Sequence, residues 1–447
     1  MYPYPYLLEE LAYHFTHGRD VARGATFSHQ AAERSSSLFN WNRAFPLYQD
    51  ALDLWKELGG HLEKRAAIAE KLGDAFYKSG IEAQRAVGYL QQALRFNEEL
   101  DNHHKVATIH SQLGREYMHS GNLAVQDIAQ ALEQFQVAKN ILDLESEDVP
   151  HGMVYYGLAM AHLDHLDLKE AASWAGRAAE LGERLDAPAI VANACAPLGS
   201  VLARSAIAPA SEALERGWRT SFDHKLGFQA DLNRAFGARA MGVALKDPQA
   251  GLSWVDRGPD YHKTYSLFDI PSHLVALHAL NGELGEDGRI LGELQSRLRE
   301  LGQHTFGLWP DELGLLWIRQ GEWDHAEAQL SEAFDWAVKS GNHVVEAATA
   351  EKLGQVYLAL QQHDQAERYL LHVLDSIRGS SSVVCELALL PHLCELYLRT
   401  GRLEMAGQHL TQAQNIARGL TDYGGLKGDL RLAEGLVFAA LGNWGDA

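Results

Sequence analysis

Three stretches decide the fold: LGLLWIRQGEWDHAEAQLSEA at Leu313–Ala333, LGQVYLALQQHDQAERYLLHV at Leu353–Val373 and LCELYLRTGRLEMAGQHLTQA at Leu393–Ala413. They align without a gap, and their starts at 313, 353 and 393 lie 40 residues apart. Each opens on Leu and a small residue, and an aromatic follows (Trp317, Tyr357, Tyr397) before a turn. An Ala comes next (Ala326, Ala366, Ala406), with Leu four positions later (Leu330, Leu370, Leu410). Leu313, Gly314 and Trp317 share one face of a helix, while Ala326, Leu330 and Ala333 share a face of a second. Two such helices make a hairpin. Gly314 and Gly354 let the partner helix approach closely, and Gly321 and Gly401 suit a helix end that needs positive φ.

The register continues upstream with decreasing clarity. Leu72-Gly73 with Phe76, Gly80, Ala86, Tyr89 and Ala93 matches after one inserted residue, and Leu113-Gly114 with Tyr117, Gly121, Ala131, Phe135 and Ala138 after a longer insertion. Leu158-Ala159 with Ala171, Ala175 and Ala178 follows, then Leu198-Gly199 with Leu202. Near 237 and 275 the pattern weakens, although Ala250 and Trp254 sit where a second helix begins. The expected fold is all-α, a right-handed α-solenoid of antiparallel helix pairs with a period of about 40 residues. Four segments are expected: an N-terminal helical lead-in over 1–58, repeats over 59–215, degenerate repeats over 216–307 and well-matched repeats over 308–447 that end in mid-repeat.

This pattern resembles the tetratricopeptide repeat, whose usual period is about 34 residues. The longer period is that of the long-helix variants in bacterial signalling proteins. The resemblance covers roughly residues 60–447 and is strongest in the last third. Because its motif residues pack against each other, it implies a protein-interaction fold without naming a partner. The start of the chain has a second resemblance, carried by Leu11-Ala12-Tyr13-His14-Phe15, Ala31-Ala32 and the stretch Ala44 to Leu54. It is similar to the segment that opens the helical arm of signal-transduction ATPases with numerous domains, including maltose-activator-like regulators. The ATPase itself is absent, since no Lys follows a Gly and a phosphate-binding loop needs Gly-Lys. Gly442, Trp444 and Ala447 fall at turn and early second-helix positions, so the sequence reads as an arm taken from a larger signalling or transcription regulator.

Composition narrows the function. A chain of 447 residues that is 46% hydrophobic and 22% charged folds into a core. Its net charge of −20 repels nucleic-acid phosphates and anionic lipid, so neither is an expected partner. Three cysteines form no disulfide framework, no apolar run is long enough to span a bilayer, and no signal peptide opens the chain, which makes the cytoplasm the expected location. Cys385 and Cys394 lie on opposite faces of one helix and make no redox pair.

No His-Glu-x-x-His, Cys-x-x-Cys, Gly-x-Ser-x-Gly or Gly-x-Gly-x-x-Gly motif occurs, so neither an enzyme nor a bound cofactor is expected. His162, His165 and Asp167 are the densest potential metal ligands. No third His or Cys completes a tetrahedral set, and they read as solvated turn and cap residues. An enzyme pocket in the irregular stretch Trp218 to Gly307 is the least favoured alternative, and a free-standing peptide-sensing scaffold the closer one.

In stacked hairpins the first helices line the concave face. That register places Asp74, Tyr77 and Lys78; Arg115, Met118 and His119; Leu315, Ile318 and Arg319; Glu351, Gln355 and Leu358; and Glu395, Leu398 and Arg399 in the groove. The Lys and Asn positions with which tetratricopeptide proteins hold chaperone C-termini are not matched. The acidic charge and the Leu, Ile and Met among these residues predict capture of a basic or amphipathic peptide, helix or partner protein. Oligomeric state is not encoded in any of these signals.

Overall fold

The computed structural model describes residues 7–18, 20–38, 40–79, 83–118, 125–144, 146–257, 269–283, 310–378 and 382–442. Among the described residues every regular element is a helix. The chain divides into two compact units, Met1–Gly157 and Leu158–Ala447, with the boundary inside the helix Val149–Asp164.

In the first unit, helices Leu7–His17, Val21–Ser37, Trp41–Glu57, Leu62–Ser79, Ala83–Glu99, His103–Met118 and Ile128–Leu142 pack each on the next. Small residues let them close together: Ala25, Ala32, Ala44 and Ala51 are fully buried beside Tyr48, Trp55, Ile68 and Phe76. Phe45 stacks on Phe76 with ring centroids 3.9 Å apart. Each large apolar side chain withdrawn from water here contributes about 1.5–3 kcal/mol.

The second unit continues the hairpins. Helices Leu168–Arg184, Pro188–Leu202 and Ile207–Asp223 lead to Gly227–Gly237, which runs on into a π-helical turn at Ala238–Val243. Pro248–Val255, Asp269–Asn281, Pro310–Gln320, Trp323–Ser340, His343–Ala359, His363–Arg378, Val383–Arg399, Leu403–Gly419 and Leu426–Ala440 follow. The small residue of the motif is where the partner helix inserts its Leu. A Cβ on Gly314 would lie 2.3 Å from Leu330 Cδ2, and one on Gly354 2.4 Å from Leu370 Cδ2. Gly199 admits Leu214 in the same way. The weakened repeat near 237 keeps this contact, because Gly237 faces the Trp254 ring, and Asp247 caps the second helix by accepting from Ala250 N–H at 3.1 Å. The π turn adds one residue to the helical turn there, which shifts the spacing that defined the repeat.

The wall of this unit does not stay open. Val384 N–H donates to the carbonyl of Arg204 (3.1 Å) and Gly425 N–H to that of Leu245 (2.9 Å), joining residues about 180 positions apart. Leu163 and Leu166 pack with Val344 and Ala347. No local periodicity encodes these contacts.

Candidate functional site

Closure leaves a partly enclosed cavity of about 170 Å³ inside the second unit. Its apolar wall includes Leu166, Ala203, Ala240, Val243, Leu315, Val344, Ala347, Val373, Ile377, Val384 and Leu389. Five cationic side chains line it (Arg204, Arg239, Lys246, Arg319, Lys352) against two carboxylates, Asp311 and Glu351.

These charges form a network in which the partners differ in how well they are satisfied. Arg239, presented by the π turn, reaches Glu312 at 2.6 Å and Asp311 at 3.4 Å. His273 Nδ1 lies 2.8 Å from the same Glu312. Asp311 and Glu312 are buried, at 2% and 0% exposure, so their charges depend on these cations. Burial pushes Asp311 up, but Arg239 and Lys352 outweigh it and hold the carboxyl below its usual range. Glu351 is likewise held low against burial by Lys352, His392 and Lys246, and accepts a 2.9 Å hydrogen bond from Gln355 Nε2. Lys246 is paired with Asp429 at 2.5 Å. Burial pushes Asp164 up to about 7 against the pull of Arg239 and Arg204.

Two cations stand apart. Lys352, 8% exposed, has Asp311 at 3.7 Å and Glu351 at 3.9 Å, both outside hydrogen-bond reach. Arg204 has no carboxylate within ion-pair distance among the described residues. Its Nη1 donates to Cys385 Sγ at 3.3 Å, and its buried Nε lacks an acceptor.

The sequence-predicted groove residues separate into groups. Leu315, Arg319, Glu351 and Gln355 come together on the cavity wall. Ile318 and Leu398 pack against the hydrophobic core, and Leu358 is buried within it. Glu395 and Arg399 pair with each other at 2.6 Å, and Arg399 also donates to the Leu358 carbonyl. In the first unit Arg115 lies 3.6 Å from Asp74 and over the Tyr77 ring, while Met118 is half-buried and its carbonyl accepts from Gln126. The Lys78 side chain and His119 lie outside the described residues, as do Tyr261, Gly307, Trp444 and Ala447. Arg204, Arg239, Lys246 and Lys352 escaped the sequence reading. Lys352 sits one position past the register counted as groove, and Arg239 falls where the repeat pattern lapses. Arg204 and Lys246 lie in turns past the ends of their helices, where a helical register does not reach.

Elsewhere, His162 Nδ1 lies 3.5 Å from Asp167, and the His165 ring lies 4.7 Å from that of His343, tilted by 43°. Among the described residues no group of three or more His, Cys, Asp or Glu is placed to hold a metal ion. Cys394 is buried, its thiol pushed up to about 12 by burial, and Cys385 lies at the cavity. No described helix is long and apolar enough to cross a membrane.

Residues 309–378 match the tetratricopeptide repeat family, so the chain carries a repeat of that type. No curated protein matches the sequence. Among solved structures it is similar to BtubC from P. vanneervenii (20% identity over 49% of this chain and 88% of that one, TM-score 0.39). It is also similar to a Rap protein complexed with Competence and Sporulation Factor (10%, 91% and 99%, TM-score 0.43) and to ligand-bound phAimR (14%, 79% and 98%, TM-score 0.46). Likeness at this level says nothing of what this chain binds.

Proposed function

We propose that this chain is a non-enzymatic interaction and sensor module of tetratricopeptide type, acting within a larger signalling or transcription regulator. The observation that carries the reading is the cavity of the second unit, where inward residues of successive repeats converge on one charged and apolar space. A purely structural solenoid gains nothing from a buried ion network of this kind, because apolar residues of equal volume stabilise as well or better. The lining charge bears on the partner: Arg204 and Lys352 line the wall without a hydrogen-bonded carboxylate, which favours an acidic or carboxylate-bearing group there over the basic one expected from net charge.

Photo-crosslinking in the native host tests the reading. A benzophenone amino acid at Gln355, on the cavity wall, is expected to trap a discrete species, whereas the same group at exposed Glu212 traps none. Equal labelling at the two positions, or none at either, counts against a binding role.

A further inference from the structure

The sensor reading leaves the ligand open, and the cavity narrows it, so the identity of the ligand rests on that reading. Lys352 is more than nine-tenths buried and lines the space. Its ammonium carries three N–H donors, and none has an acceptor within hydrogen-bond distance among the described residues. The flanking carboxylates attract it without bonding it. Those donors are open to water or to a ligand that accepts from them. Arg204 adds a guanidinium with no carboxylate of its own, and its Nε also lacks a partner.

The ion pairs point the same way. Glu312 sits behind Arg239 and Asp429 behind Lys246, Arg319 is exposed, and Asp311 and Glu351 flank Lys352, which leaves Arg204 as the lining cation without an ion pair among the described residues. An anion beside it completes the pairing. The rest of the wall is aliphatic, and about 170 Å³ slightly exceeds the roughly 150 Å³ known to hold one benzene ring. That is room for about six carbon atoms beside an acidic head, and too little for a run of peptide backbone.

We propose that the cavity binds a small free organic acid: one carboxylate accepted by Lys352, with Arg204 supplying the balancing charge, on an apolar body of about six carbons lodged among Val344, Ala347, Val384 and Ile377. The ligand then ties together repeats on either side of the closure. By linkage its binding stabilises the closed wall over the unfolded chain.

Titration calorimetry on the full chain tests this with hexanoate and benzoate, their neutral amides, inorganic phosphate, and a pentapeptide ending in Leu. At least one acid is expected to bind about tenfold or more tightly than its amide, which keeps the apolar body but loses the charge-assisted bond. Phosphate, lacking the body, should bind more weakly still. Lys352→Met should lose the preference for acid over amide. Should that variant fail to fold by circular dichroism, Ala388→Leu, which fills the wall without touching the ion network, must abolish acid binding in a folded protein. Equal binding of acid and amide, phosphate as tight as hexanoate, or no binding of either acid overturns the proposal. A pentapeptide binding at least as tightly as the acids overturns it too, yet leaves the wider sensor reading standing.

Discussion

Among single residues, the motif glycines divide into those that hold space for a neighbour and those that do not. Gly354 has Leu370 where its Cβ would be, so Gly354→Ala is expected to cost about 1–3 kcal/mol through overpacking. Gly88, within Ala83–Glu99, faces open space, and Gly88→Ala should instead stabilise by about 0.5–1 kcal/mol through helix propensity. Urea unfolding of the two variants checks both signs, and a matching loss in both would refute the packing account. Gln361 occupies the turn position of Gly321 and Gly401 and adopts their left-handed backbone, with φ of 59° against 76° and 72°. The packing role of Gly354 was readable from the sequence because the same pairing of small residue and Leu recurs at fixed spacing. The donors left open on Lys352 were not, since a lysine one position off the register looks like any solvated lysine until its neighbours are placed.

Between helices, consecutive repeats are clipped together by a bond that the 40-residue period copies. Tyr357 Oη donates to Glu327 (3.0 Å) and Tyr397 Oη to Glu367 (3.2 Å), each from a first helix to the second helix of the preceding repeat. Glu367 also takes two bonds from Arg402, at 2.7 and 2.9 Å, and these hold its carboxyl below the ordinary range. Removing the hydroxyl in Tyr397→Phe should cost about 1 kcal/mol, read as a shift in denaturation midpoint with unchanged slope. The aromatic position itself was evident from the sequence, whereas its use as a clip between repeats needed the spacing of neighbouring helices. Trp317 shows the limit of the copying, because its Nε1 bonds Gln329 within its own repeat.

Across the full chain, pH and hydrogen exchange each report on one unit. Glu116 is 1% exposed in the first unit, and burial pushes its carboxyl up to about 8, against the pull of Arg115. Its folded value lies above its unfolded one, so the folded state holds the extra proton between about pH 4 and 8 and stability falls as pH rises through that window, by up to about 1.4 kcal/mol per pH unit. Glu116→Gln removes the titration, and its stability from pH 5 to 8 should be flatter than that of the parent chain; parallel profiles would refute the assignment. In the second unit the measurement concerns closure. Val384 N–H belongs to the first turn of its helix, where amides have no intrahelical acceptor and normally exchange fast. Because it donates to Arg204, it should be protected from hydrogen exchange like a core amide, together with Gly425 N–H; free exchange at both would mean an open wall. The helical hairpin, its period and the faces each helix buries were already written in the sequence, since these depend on side-chain size at spacings of a few residues. Whether the concave wall stays open, and which charges meet inside it, emerged only in three dimensions. The contacts that close it join residues about 180 positions apart through backbone groups, which every residue carries alike and no side-chain pattern records.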